Sequence, residues 1–179
     1  EDFVQFLTGK RYTKKGNKYT EQIIQDPDPQ LAKLFKGKDK EREARDFVKR
    51  MLGRIVFLYF IQKKGWMAVP QGKTWGDGNH DYLFDLFKKS KNKSNFYSKE
   101  LVPLFFTTLN NTHSEDETND LRFPYLNGGL FDDSQDKIYN DLKLPEEIFN
   151  SLFDTFNNFN FTVHEDAPVE HTVAVDPEM

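Results

Sequence analysis

The sequence of 179 residues contains no cysteine, which excludes disulfide bonds and zinc sites built on thiolates. It also contains no apolar run that approaches the roughly 18 to 20 residues needed for a membrane-spanning helix. No membrane contact is therefore expected. With neither feature present, the cytoplasm is the simplest prediction for the compartment.

The sequence also lacks a complete catalytic or metal-binding motif. Pro27-Asp28 could begin a metal-dependent nuclease motif, but Glu43 stands where such a motif needs a lysine. Asp77, Asn79 and Asp81 have the first spacings of a calcium loop, but the central glycine and the closing glutamate are missing. The serines, threonines and histidines show no arrangement typical of a nucleophile and its base. We therefore predict no catalytic residue, no metal ligand and no cofactor within this chain.

Large aromatic side chains are abundant instead. There are 18 Phe, 7 Tyr and 2 Trp, and a chain of this length can bury roughly 70% of its unfolded surface. Aromatic rings interleaved with lysines can also hold single-stranded nucleic acid. The rings recur at helical spacing, however, so packing in a core is the preferred interpretation.

The clearest helix is predicted over residues 40–64, where apolar residues recur at steps of three and four. Every residue from Ile55 to Ile61 is apolar or aromatic, so this half must be covered on most sides. Gly65 followed by Trp66 is typical of a glycine C-cap, and the two lysines before it suit the negative end of the helix dipole. We expect this helix to be the centre of the domain.

Three further helices are predicted from the same periodicity. They cover residues 80–89, residues 94–109, and a segment that opens with Pro145 at its first position. Pro103 lies near the middle of the second segment and favours a kink or a break after Val102.

The predicted fold class is mainly α, an irregular helical bundle around the central helix with a short β-hairpin or extended arm near the C-terminus. The arm is expected in residues 161–179, where two β-prone runs flank an acidic connection. Residues 1–28 are predicted to form the end of a preceding segment and a basic loop. Residues 29–160 are predicted to form the helical domain.

Charge is divided unevenly along the chain. Residues 1–110 contain 22 Lys and Arg against 13 Asp and Glu, a net charge of +9, and the remaining residues carry −13. A basic part is compatible with a surface that faces phosphates, and the acidic part could pair with a basic neighbouring domain. Solvated faces without a partner are the alternative.

An apolar and aromatic run at residues 123–131 is broken by Asn127, Gly128 and Gly129. All three residues tolerate positive φ, so the backbone can reverse while both arms stay buried. A phosphate-binding loop is disfavoured, since the run lies in the acidic part of the chain. We therefore predict a buried structural turn. Replacing Gly128 or Gly129 with valine is expected to lower the stability of the fold.

Five segments in order resemble one protein family. They are RDFVKRMLGRIVFLYFIQKKGW at 45–66, LFFTTLN at 104–110, PYLNGGLF at 124–131, NFTV at 160–163 and VAVDPEM at 173–179. Together they resemble the helical region of type IIG restriction-modification enzymes. Those enzymes join a DNA endonuclease to an adenine-specific DNA methyltransferase in one chain.

The resemblance implies a position between the nuclease and the methyltransferase, with the last segment leading into the methyltransferase domain. It implies double-stranded DNA and the two flanking domains as partners. S-adenosylmethionine and Mg²⁺ are implied for the parent enzyme. The glycine-rich cofactor loop and the Asn-Pro-Pro-aromatic segment of such methyltransferases are absent from this sequence, so we expect a domain without its own active site.

The basic part of the chain supplies candidate contacts to DNA phosphates. The alternative is a protein-interaction module of a phage-defence DNA methyltransferase that lacks a nuclease, in which the acidic part binds a basic domain. A free-standing enzyme would need a site that the sequence does not show. The candidate DNA-binding residues are Lys10, Arg11, Lys14, Lys15, Lys18, Lys88, Lys89, Lys91 and Lys93.

Overall fold

Helices form about half of the described residues in a computed structural model of the protein, which describes residues 1–110, 120–126, 129–132 and 134–159. Within these ranges one shared core receives side chains from five α-helices. The prediction of a mainly α fold is confirmed, and no helix in the same ranges is long and apolar enough to cross a membrane. The helices are α1 (Asp2–Thr8), α2 (Pro29–Leu34), α3 (Lys40–Lys63), α4 (Tyr82–Lys89) and α5 (Glu146–Asn157).

Helix α3 is the predicted central helix. It begins where the carboxylate of Asp39 accepts a hydrogen bond from the backbone N–H of Arg42 at 2.9 Å, which satisfies one of the free donors of the first turn. Its apolar stripe is buried almost completely, as the periodicity predicts. Buried apolar side chains on α3 include those of Phe47, Met51, Ile55, Leu58 and Tyr59.

The end of α3 also follows the prediction. Gly65 has a φ of +69°, and its N–H donates to the carbonyl of Gln62 at 2.8 Å. The N–H of Trp66 then donates to the carbonyl of Ile61 at 3.2 Å, so two carbonyls of the last turn are satisfied. The chain reverses immediately afterwards, since the N–H of Gly76 donates to the carbonyl of Gly65 at 3.1 Å.

Two of the shorter predicted helices are present with small differences at their ends. Helix α4 begins at Tyr82, two residues later than expected, and buries Leu83 and Phe87. Pro145 caps α5 from outside, because its ψ of 143° is extended, so the helix begins at Glu146. Both helices turn aromatic rings into the core, which confirms the reading of these rings as packing residues.

The segment around Pro103 remains helical, so of the kink or break predicted after Val102 the break does not occur. A short 3₁₀ turn (Lys93–Asn95) precedes two π-helical stretches, Tyr97–Leu101 and Leu104–Thr108. Proline has no N–H to donate within a helix, and the wider π turns accommodate the loss. The N–H of Leu109 accordingly donates to the carbonyl of Leu104, five residues back, at 3.0 Å.

The basic segment near the N-terminus is a β-hairpin, so the prediction of a loop there is wrong. Strands β1 (Lys10–Lys15) and β2 (Lys18–Ile23) pair antiparallel, with Lys15 opposite Lys18 beside the turn. Gly16 is the first of two turn residues and has a φ of +62°, as a type II′ turn requires. The hairpin predicted in residues 161–179 lies outside the described residues.

A second sheet, of only two short strands, joins the loop after α3 to residues 121–122. It consists of β3 (Val69–Pro70) and β4 (Leu121–Arg122), again antiparallel. This pairing brings Phe123 beside α4, where the rings of Tyr82 and Phe123 meet edge to face at 5.4 Å.

Residues 129–132 and 134–136, which we call the 129–136 segment, are attached to α3 by a buried ion cluster. Asp136 is fully buried and accepts hydrogen bonds from Arg50 and Arg54, at 2.6 Å from each nearest nitrogen. Arg54 is only 1% exposed and also donates from Nε to the carbonyl of Leu130 at 2.5 Å. Phe131 is buried next to this cluster, whereas Leu130 is partly exposed.

Gly129 occupies a turn on the surface, which differs from the predicted burial. A Cβ atom built on Gly129 contacts nothing within 4 Å, and its φ is outside the positive region. Asn127 and Gly128 lie outside the described residues. The lack of a side chain at Gly129 is therefore not what fixes this segment. The contacts of Arg54 with Leu130 and Asp136 fix it instead.

We expect Gly129→Val to leave the free energy of unfolding within about 0.5 kcal/mol of the wild type, because the added atoms enter open space. Urea unfolding followed by circular dichroism measures the difference. A loss of more than about 1 kcal/mol would contradict this expectation and restore the buried turn.

Candidate nucleic-acid interface

The inner face of the hairpin is attached to the first turns of α3. Lys10 forms ion pairs with Glu21 on β2 and with Glu41 on α3, both at 2.7 Å. Tyr12 donates its hydroxyl hydrogen to Glu41 at 2.9 Å and accepts a hydrogen bond from Arg45 at 3.0 Å. Because strand side chains alternate between faces, Lys10 and Tyr12 point the same way.

Electrostatic interactions in this network favour the charged forms of Lys10 and Glu41. Hydrogen bonds to Glu21 and Glu41 raise the pKa of Lys10 above its usual range. Partial burial would raise the pKa of Glu41, but the hydrogen bonds from Lys10 and Tyr12 outweigh it, so the pKa is lowered. Lys10 is thus occupied by two carboxylates, and it acts in positioning the hairpin.

The outer face of the hairpin is basic. The register places Arg11 opposite Gln22, Thr13 opposite Thr20 and Lys15 opposite Lys18, and none of these six residues is acidic. All six are exposed. We call these residues the outer face: Arg11, Thr13, Lys15, Lys18, Thr20 and Gln22.

Two of the outer-face cations have no carboxylate partner. Within the described part of the chain, neither Lys15 nor Lys18 takes part in an ion pair. Arg11 donates from Nε to the side chain of Gln5 at 3.1 Å, an interaction that leaves its charge uncompensated. The outer face therefore presents three positive charges to an approaching anion.

The tip of the hairpin carries the remaining candidate from the first group. Lys14 lies on the inner-face side, with Nζ 5.8 Å from the centre of the Tyr19 ring. The Tyr19 side chain is 71% exposed, so this pair projects beyond the helices. Lys14 can reach a phosphate only from the end of the hairpin, and not from its outer face.

The structure divides the second group of candidate lysines. Lys88 extends over the ring of Phe84 at 3.9 Å, and Lys93 lies over Phe87 at 5.2 Å while pairing with Glu146 at 3.3 Å. Lys93 thus ties the start of the π-helical segment to α5. These two lysines have local partners and are poorer candidates for a phosphate contact.

Lys89 and Lys91 instead line an open hollow of about 340 Å³ beside the end of α4. Lys99 lines the same hollow from the first π-helical stretch, together with Asn92 and Glu100. Sequence reasoning missed Lys99, because only the reversal of the chain after α4 brings it beside the lysine tract. The only signal in the sequence was the close spacing of the lysines in the basic tract at residues 88–93, and Lys99 lies outside that tract.

The described residues do not fit the two groups implied for a parent enzyme. No cluster of three or more His, Asp or Glu in the described ranges could hold a metal ion. The whole sequence also lacks a glycine-rich loop suited to S-adenosylmethionine. The arrangement offers cationic surfaces.

Comparison with known proteins shows a similarity to a restriction enzyme and methyltransferase. The chain is 29% identical over 136 residues to a protein of Methanocaldococcus jannaschii described as "Putative type II restriction enzyme and methyltransferase RM.MjaORFECS2P". The match covers 69% of this chain. No protein-family model matches the chain, and no solved structure matches it.

The chain corresponds to only 10% of the length of that relative. A similarity of this extent supports a relation to restriction-modification enzymes, in agreement with the resemblance found in the sequence. It concerns a small part of a much longer protein.

Proposed function

We propose that this chain is a helical connector domain of a type IIG restriction-modification enzyme. It has no active site of its own, and it positions the nuclease and the methyltransferase relative to each other. It also contacts the DNA backbone through the outer face of the hairpin. Cleavage and methyl transfer, with Mg²⁺ and S-adenosylmethionine, then belong to other parts of the parent protein.

The uncompensated charge of the outer face carries the DNA part of this proposal. Arg11, Lys15 and Lys18 lie on one side of a regular ribbon, whereas the acidic residue of the hairpin, Glu21, is on the opposite side. Duplex DNA carries one negative charge per about 1.7 Å, so a short row of cations can neutralise several phosphates. The hollow around Lys89, Lys91 and Lys99 is a second, smaller phosphate contact.

The positioning part of the proposal is supported by the continuity of the core. α1 supplies Phe3 and Leu7 to the same core as α3, and α5 supplies Phe149 and Phe153. The segments at both ends of the described chain are therefore joined through packed aromatic rings. A rigid block of this kind can keep two attached domains at a constant separation.

We expect the triple variant Arg11→Gln, Lys15→Gln, Lys18→Gln of the full-length protein to bind duplex DNA more weakly. Each lost phosphate contact should reduce the slope of log K against log salt by about 0.9, so the slope should fall by up to about 2.7. Fluorescence anisotropy with a labelled duplex at several salt concentrations measures the slope.

A matched control removes three exposed lysines near α2 by the variant Lys33→Gln, Lys36→Gln, Lys38→Gln. It changes the net charge equally and should leave the slope nearly unchanged. Equal slopes for the hairpin variant and the wild type would contradict the DNA role. That result would favour the alternative, a protein-interaction module of a phage-defence methyltransferase without a nuclease.

A further inference from the structure

The hairpin has the dimensions of a groove-binding ribbon. Each strand contains six residues, which span about 20 Å, and the two strands lie about 4.8 Å apart. Every residue of β2 is exposed, so no other element of the described chain covers this ribbon along its second strand. The major groove of duplex DNA, about 12 Å wide, admits a two-stranded ribbon without deformation, whereas the minor groove, about 6 Å wide, must widen to admit one.

The outer face also carries side chains that distinguish bases. Arg11 and Gln22 are directly opposite each other in the register. An arginine fork matches the O6 and N7 acceptors of guanine, and a glutamine amide matches N6 and N7 of adenine. Since Arg11 uses only Nε for Gln5, both terminal nitrogens of its guanidinium remain available for a base edge.

The ribbon is held firmly enough to present these side chains in one orientation. The N–H of Ile24 donates to the carbonyl of Gly9 at 2.8 Å, which closes the base of the hairpin. Gly9 has a φ of +69°, and a Cβ there would lie 2.1 Å from the carbonyl oxygen of Gln25. Together with the Lys10 and Tyr12 contacts to α3, this base anchors the ribbon before any ligand arrives.

We propose that the hairpin enters the major groove of duplex DNA and that Arg11 and Gln22 read base edges there. This inference rests on the proposed function and adds to it. Lys15 and Lys18, next to the turn, contact phosphates that border the groove. The hairpin thereby contributes to the choice of DNA sequence as well as to affinity.

The first test locates the groove. Dimethyl sulfate methylates guanine at N7 in the major groove and adenine at N3 in the minor groove. With the full-length protein bound to duplexes from a selected random library, we expect protection of guanine N7 over a short stretch. Binding without N7 protection would overturn this inference and leave the proposed backbone contact intact. Absence of duplex binding would overturn both.

The second test separates base reading from charge. Arg11→Lys keeps the positive charge but loses the fork, so we expect affinity for the selected sequence to fall roughly 5- to 150-fold. Gln22→Ala should relax the preference at one base pair. Lys15→Arg, a matched exchange of one cation for another, should preserve both affinity and preference. An Arg11→Lys variant with wild-type affinity and base preference would refute the reading of bases by the hairpin.

Discussion

Replacing Asp136 with alanine is expected to destabilise the protein by about 3 to 5 kcal/mol, the range for removal of one partner from a buried ion cluster. Asp136 is the carboxylate that faces both Arg50 and Arg54, and its side chain is fully buried. Without it, Arg54 would keep a charge in an apolar setting between the rings of Phe105 and Phe106.

The residues of the cluster are far apart in the sequence, so the loss of Asp136 is expected to affect more than one part of the fold. Arg54 and Asp136 are 82 residues apart, and the same arginine fixes the carbonyl of Leu130. Losing the carboxylate would therefore release the 129–136 segment from α3 as well as uncover a charge. A typical domain is stable by only about 5 to 15 kcal/mol, so this single change should remove much of that margin.

Urea unfolding measured by circular dichroism is the test for Asp136→Ala. Asp141→Ala is the matched control, because Asp141 is exposed and lies in the same part of the chain. We expect the control to shift the free energy of unfolding by less than about 0.5 kcal/mol. Similar midpoints for the two variants would show that the cluster adds little to stability.

Replacing Gly65 with alanine is the second change with a large expected effect, about 2 to 5 kcal/mol. One part is the left-handed backbone, since Gly65 has a φ of +69° and an L-residue there loses about 1 to 2 kcal/mol. The other part is steric, because the new Cβ would lie 2.0 Å from the carbonyl oxygen of Gly76. Backbone atoms of Gly76 cannot move aside as a flexible side chain could.

Two control variants divide the Gly65 effect into its parts. Gly72 has a φ of +77° but open space around an added Cβ atom. The variant Gly72→Ala therefore measures the backbone strain alone. Gly53→Ala lies on the exposed side of α3 with nothing within 4 Å, and it should stabilise the helix by about 0.5 to 1 kcal/mol. A Gly65→Ala variant no less stable than Gly72→Ala would contradict the close approach to Gly76.

Much of the helical architecture could be predicted from the sequence because it depends on neighbours along the chain. The stripe of α3, its glycine C-cap and the apolar spacing of α4 are local patterns with a local cause. The hairpin had a signal too, since Gly16-Asn17 separates two stretches with Tyr and Thr, but their many lysines favoured a loop. Arg54 had a weaker signal, a cation on the apolar stripe of α3.

The candidate site depended more on contacts between distant residues. In the sequence, Lys89, Lys91 and Lys93 are equivalent members of one basic tract. Only the structure shows that Lys93 pairs with Glu146, which lies 53 positions further along the chain. Lys10 is likewise withdrawn from the candidate set by Glu41 on another element. The sequence by itself determined the mainly α fold and the supply of positive charge, because periodicity and composition are properties of neighbouring residues. Only the tertiary structure decided which cations remain available, because a charge is engaged by whatever partner the folded chain brings within a few ångströms.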